Sequence, residues 1–132
     1  MREDEKKFRT GCLLLVLIFI IIFITSLINY NRKIDDLNKN GRYTIGVTTE
    51  KIIGAKTNDY IKYYYYYKNT KYTGKGDLKL NAKVPNGKYF VVFSTINPYN
   101  SIIYFDQPVP DSVRSAPKEG WSFNDLRKNN WW

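Results

Sequence analysis

Tyr60-Ile61-Lys62-Tyr63-Tyr64-Tyr65-Tyr66-Tyr67-Lys68 decides the fold of the larger part of this chain. Tyrosine favours strands, and successive strand side chains point to opposite faces. Period two therefore puts Ile61, Tyr63, Tyr65 and Tyr67 on one face and Tyr60, Lys62, Tyr64, Tyr66 and Lys68 on the other. The lysine-bearing face is predicted to be the wetter one.

Working outward, Asn69-Thr70-Lys71 predicts a hairpin into a third strand from Lys71 to about Leu80, interrupted by Gly74 and Gly76. Pro85-Asn86-Gly87 predicts a tight turn into a strand from Lys88 to Thr95. There Tyr89, Val91 and Phe93 oppose Phe90 and Val92, the pattern of a strand buried on both sides. Asn97-Pro98-Tyr99-Asn100 is a further turn, before a short strand from Ser101 to Phe105. Pro108-Val109-Pro110 is expected to end sheet pairing near Asp106. On the other side, Arg42 to about Ile53 reads as the first strand, with Tyr43, Ile45 and Val47 alternating with Thr44, Gly46 and Thr48. Gly46 suggests a bulge or bend, and 54–59 a turn.

The expectation is a small all-β domain over residues 42–106, about five antiparallel strands in an SH3-like or OB-like barrel. Large aromatics compensate for so thin a core. Residues 107–132 form a Pro- and Trp-containing tail. In it Asp125 to Asn129 suggests one helical turn, and Trp121 and Phe123 are expected to pack back on the barrel. The pair Trp131-Trp132 is expected either at a bilayer interface or in a disordered end.

Before the domain, residues 12–30 read as a transmembrane helix, after a short basic leader over 1–11. Between Leu13 and Ile28 only Thr25 and Ser26 are polar. At roughly −0.3 to −0.6 kcal/mol per central apolar residue, such a run favours bilayer insertion by several kcal/mol. A cleaved signal peptide is the alternative, but Thr25-Ser26-Leu27-Ile28-Asn29-Tyr30-Asn31 offers no small-residue cleavage site. Cys12 precedes the apolar run, which argues against lipoprotein processing. Arg2, Lys6, Lys7 and Arg9 on one flank balance Arg32, Lys33, Lys39 and Arg42 on the other, so charge gives no orientation. The short leader is most simply left in the cytoplasm, which puts the β-domain outside it. Residues 31–41 read as a polar stalk or a frayed extension of the helix, with Asp35-Asp36 as solvated linker charges and Asn38-Lys39-Asn40-Gly41 as turn chemistry.

The 132 residues carry a net charge of +9, most of it outside the leader and span. Such a field attracts phospholipid headgroups, nucleic acid or acidic envelope polymers, although A- and T-rich codon usage would also enrich Lys, Asn, Ile and Tyr. There is no histidine and a single cysteine, so intrachain disulfides, histidine-based nucleophile systems and the usual zinc sets are excluded. Asp77, Asp106 and Asp111 lie on separate turns without calcium-loop or paired-carboxylate spacing. Gly74-Lys75-Gly76-Asp77 lacks phosphate-loop spacing. No catalytic residues, cofactor or metal site are expected.

Arg42-Tyr43-Thr44-Ile45-Gly46-Val47, the Tyr63–Tyr67 run, Tyr72-Thr73-Gly74, Gly87-Lys88-Tyr89-Phe90-Val91-Val92-Phe93 and Asn97-Pro98-Tyr99-Asn100 together resemble a class of small bacterial membrane-anchored proteins of unknown function. Their β-domain shows G-x-V, Y-x-Y, Y-x-G, G-x-x-x-x-V-x-Y and an N-P turn in that order. The resemblance covers Gly41 to Phe105 and implies a membrane-tethered β-domain without catalytic residues. Many members carry a second membrane span, which this sequence lacks.

The sequence thus predicts a single-pass protein of the bacterial inner or plasma membrane. Its β-domain is expected to act as a protein-interaction or envelope-associated module with an unidentified protein partner. The alternative is a membrane-tethered binder of an anionic polymer through Lys62, Tyr64, Tyr66, Lys68, Lys71 and Tyr72, where tyrosines interleaved with lysines suit stacking and phosphate pairing. Simple cross-strand packing would explain the same tyrosines. Nucleic acid fits poorly with a domain outside the cytoplasm.

Overall fold

A computed structural model describes residues 2–54, 56 and 58–132. The chain divides into two compact units, 1–35 and 36–132. Helix α1 (Glu3–Asn40) begins in the first and ends in the second.

In the first unit α1 is long and apolar enough to cross a membrane. Every side chain from Leu13 to Ile24 is exposed. Thr25, one of the few polar groups here, returns its hydroxyl to the Ile21 carbonyl at 2.7 Å, so it needs no partner outside the helix. Glu3, Asp4 and Glu5 occupy the first turn, where the helix dipole favours negative charge.

Residues 31–40, expected as a stalk or an extension of the helix, are helical, so the turn chemistry read at 38–40 is not realised there. The helix stops at Gly41, which leads directly into β1. A Cβ at Gly41 would lie 2.1 Å from the Leu37 carbonyl oxygen, so the exit admits no side chain. Asp36 is not a solvated linker charge either. Its carboxylate accepts from Asn40 Nδ2, Ser94 Oγ and Asn100 Nδ2, each at 2.9 Å, and these bonds, Asn100's first, hold its pKa below the ordinary value.

The five strands are β1 (Gly41–Ile52), β2 (Tyr60–Tyr67), β3 (Thr70–Asp77), β4 (Lys88–Ser94) and β5 (Ser101–Pro108). They form one antiparallel sheet in the order β3-β2-β1-β4-β5. Among the described residues no ladder joins the edge strands β3 and β5. The two edges nevertheless come together, because the sheet curls: Ile103 and Phe105 of β5 lie against Gly76 of β3, where a Cβ would stand 2.5 Å from Ile103 Cγ2 and 2.9 Å from Phe105 Cε2.

Several local expectations are corrected. The β1 bulge falls between Thr48 and Glu50, while Gly46 stays in regular register with Tyr89. The need for glycine there is steric, since a Cβ would meet Val91 Cγ2 at 2.3 Å. Gly74 and Gly76 do not interrupt β3, whose ladder runs through both and ends at Asp77 rather than near Leu80. Strand β5 continues past Phe105 to Pro108, which pairs with Tyr89 across a second irregularity, and the Val109 amide donates to the Lys88 carbonyl at 3.0 Å. A proline is tolerated at this position because β5 is an edge. The expected turn at 54–59 includes Ala55 and Thr57, which lie outside the described residues.

The two faces of the sheet bury two cores. The inner one gathers Tyr63, Tyr65, Tyr67, Tyr89, Val91, Phe93 and Ile103, with Tyr72, Ala82 and Phe105 against them. Room for these rings comes from small residues on β1, where Thr44 and Thr48 are buried. Thr48 donates to the Lys83 carbonyl at 2.7 Å and accepts from the Gly87 amide at 2.8 Å, so its buried hydroxyl is satisfied. The outer core contains Phe90, Val109, Val113 and Leu126, with Tyr43, Ile45, Trp121 and Trp131 packed on them. Strand β4 thus feeds both cores, as its unbroken apolar run predicts.

The tail closes the outer core. Its helix α2 (Phe123–Lys128) is held by a capping box, Asp125 N–H to Ser122 Oγ at 3.2 Å and Ser122 N–H to Asp125 Oδ2 at 2.9 Å. Trp121 packs against Phe90 as expected, and Phe123 lies beside Tyr43 with ring centroids 5.9 Å apart. Trp131 and Trp132 are not a disordered end: Trp131 lies 5.3 Å from Trp121, and Trp132 4.8 Å from Tyr104 and 5.5 Å from Tyr43.

Candidate functional site

The β2 alternation is realised as predicted. Tyr63, Tyr65 and Tyr67 point into the inner core and Ile61 is buried, whereas Tyr66 is 53% exposed. On the outer face Tyr64 and Tyr66 meet edge-on at 5.9 Å. Across the ladder Lys71 pairs with Tyr66, and its Nζ lies 4.4 Å from the Tyr64 ring centroid. Lys75 covers Tyr60 in the same way at 4.7 Å. These cations over ring faces are cation–π contacts. Lys62 is committed differently, to Glu50 at 2.9 Å, and that bond raises its pKa.

Two of the expected surface residues sit elsewhere. Lys68 is not a strand residue: it and Asn69 form the two-residue hairpin turn, with φ of 49° and 63°. Positive φ at both central positions is the turn geometry that matches strand twist. Tyr72 pairs with Tyr65 and therefore faces the inner core, where its ring stacks on Tyr65 at 5.9 Å and meets Tyr99 at 5.1 Å. The outer surface is therefore Lys62, Tyr64, Tyr66 and Lys71, with Lys68 at its end.

The tail adds a wall that the hairpin alone could not supply. The Tyr43 and Trp121 amides exchange hydrogen bonds at 2.8 and 2.7 Å. Arg42 donates to the Glu119 and Gly120 carbonyls at 3.2 and 2.8 Å. Gly120 makes this approach possible, at φ 75° with the Tyr43 carbonyl 2.8 Å from where its Cβ would stand. The Lys68 amide then donates to the Lys118 carbonyl at 3.0 Å, tying the hairpin turn to the tail.

Between this wall and the sheet runs a groove of about 380 Å³. Its floor is Ile45, Val47, Tyr64 and Tyr66, and its sides carry Lys68, Lys88, Arg114 and Lys118, with no carboxylate among the lining residues. Lys68 has an acidic partner in Glu119, at 4.0 Å, and Asp111 lines an adjoining cleft with Lys88 and Arg114. Lys88, Arg114 and Lys118 have no carboxylate within salt-bridge distance among the described residues. A second cleft of about 280 Å³ lies on the other side of Tyr64, between Lys62, Lys71 and Lys75.

Lys88, Arg114 and Lys118 were not singled out from sequence. Period two could have found Lys88, since Tyr89 faces inward and Lys88 pairs with Val47. Nothing local marks Arg114, which reaches the groove only because the tail folds back.

Comparison of the chain with family models, with curated proteins and with solved structures gives no match.

Proposed function

We propose that this chain is a single-pass membrane protein whose β-domain is a binding module for an anionic ligand. The carrying observation is the groove beside Tyr64 and Tyr66, with four cationic side chains and no lining carboxylate. Like charges gathered in this way repel one another, and an anionic occupant relieves the repulsion. The anchor reading rests on the exposed apolar side chains of α1, which a bilayer would cover at no cost in ordered water. The curled sheet is read as a small, half-closed barrel that supports the groove on rigid strands. We place the domain outside the cytoplasm of a bacterial inner or plasma membrane. The groove favours a charged ligand over a hydrophobic protein partner.

The test uses the full chain in nanodiscs of uncharged lipid, with sodium polyphosphate and polyglutamate as probes at low and high salt. Binding of at least one polyanion that weakens steeply with salt supports the reading, and binding of neither sinks it. A reporter fused after Trp132 and active only outside the cytoplasm tests the topology; silence there would reverse it.

A further inference from the structure

Resting on that anionic reading, we infer that the groove between β2 and the 114–118 wall takes a polyol-phosphate chain, a linear phosphodiester polymer without bases. The floor strand β2 is paired on both sides, to β1 and to β3, so its amides and carbonyls are already used. An extended acidic peptide laid here would find no sheet edge, and its own amides would lose water without gaining backbone partners. A phosphodiester carries acceptors only. Lys68, Lys88, Arg114 and Lys118 are donors only, and Arg114's planar fork suits two phosphate oxygens.

The floor fits what lies between the phosphates. Ile45, Val47 and the exposed ring of Tyr66 offer apolar surface to carbon-bound hydrogens. They offer bases much less, because Lys71 lies over the Tyr64 ring and Tyr66 meets it edge-on. One open ring is not a stacking platform for successive bases.

Binding would be measured on the full chain in uncharged nanodiscs with poly(glycerol phosphate), oligothymidylate of equal phosphate number, and polyglutamate. The expected result is salt-sensitive binding of poly(glycerol phosphate), with oligothymidylate within about threefold of it, since base stacking would exceed that margin. Polyglutamate should bind at least about tenfold more weakly, and Lys88→Glu with Arg114→Glu should cost poly(glycerol phosphate) about tenfold or more. Arg114→Gln, which removes the charge and keeps a polar side chain, should weaken binding with an unchanged urea midpoint and so separates loss of the guanidinium from misfolding. Equal binding of polyglutamate would overturn the polyol-phosphate assignment and leave the anionic module standing. Much tighter oligothymidylate binding, abolished by Tyr66→Ala, would reassign the groove to nucleic acid. Full binding by the Lys88→Glu, Arg114→Glu protein would remove the groove from the account, and binding of no polymer would remove the anionic reading with it.

Discussion

Tyr65 and Tyr66 are adjacent in β2, yet the first is sealed from solvent while the second leaves 53% of its surface exposed. Tyr65 stacks on Tyr63, Tyr72 and Phe93 with centroids 6.0, 5.9 and 5.8 Å apart, and its hydroxyl donates to the Pro98 carbonyl. Tyr66 touches Tyr64 edge-on and otherwise faces the groove. The pleat assigns alternate tyrosines of one run to two tasks, with odd numbers building the domain and even numbers furnishing its surface.

The hardest blow to this division would come from Tyr65→Ala. Removing a fully buried ring leaves a cavity and should cost about 3–5 kcal/mol, read as a fall in the urea midpoint of the full chain in micelles. A change below about 1 kcal/mol would mean that the inner core does not depend on its tyrosines.

Tyr63→Phe sharpens the comparison with a smaller effect. The Tyr63 hydroxyl lies 2.8 Å from Ser101 Oγ in the core, so its loss removes a buried hydrogen bond and should cost about 1 kcal/mol. Burial also pushes this phenol up from 10.0 to about 12, against a lowering by Ser101. Unfolded, the group ionises near 10.0, so its contribution is fully present below that pH and disappears as pH rises toward 12. Denaturation followed across this range should therefore be less steep in pH for Tyr63→Phe. The slope should not vanish, because burial raises Tyr43, Tyr65 and Tyr104 as well.

Asp36→Asn probes a different join, between the last turn of α1 and the β4–β5 connection. The cost should be about 1 kcal/mol, the scale of a net hydrogen-bond contribution. Because hydrogen bonds lower its pKa, the wild-type contribution is present above the ordinary 3.8 and is lost as pH falls below it. The variant should show a flatter acid limb in the same unfolding measurement, and an unchanged limb would contradict the role given to Asp36.

The smallest stability effect is expected at Tyr66→Ala, within about 0.5 kcal/mol of the parent. If thermal unfolding showed Tyr66→Ala to be as damaging as Tyr65→Ala, the two faces would not differ in function at all.

The sequence made the strands and their faces legible because period two is a local signal. Tyr63 and Tyr65 inside, Tyr66 outside and the doubly buried β4 all followed from it. Lys68 was misplaced because a strand reading can continue for one residue too many. Only the paired positive φ at Lys68 and Asn69 shows where the chain reverses. Tyr72 went to the wrong face for the same reason, since a hairpin's turn sets the parity of everything after it. Asp36 looked like a linker charge because two of its partners, Ser94 and Asn100, stand 58 and 64 residues away. The groove was half legible: Tyr64 and Tyr66 carry a pattern, whereas Arg114 and Lys118 arrive by a tail whose tryptophans have no period.

The return of that tail also bears on how fast the domain assembles. Arg42 and Gly120, joined by a 2.8 Å hydrogen bond, are separated by 78 residues of chain. Closing so long a loop carries an entropic cost that must be met before the outer core gives anything back. The inner hairpin can form from neighbours alone, while docking of the tail onto Tyr43 is non-local and is expected to be a late kinetic event. A protease added early in refolding should cut near Arg114 and Lys118 while the strands are already protected, so the ligand groove would be the last part of the domain to mature.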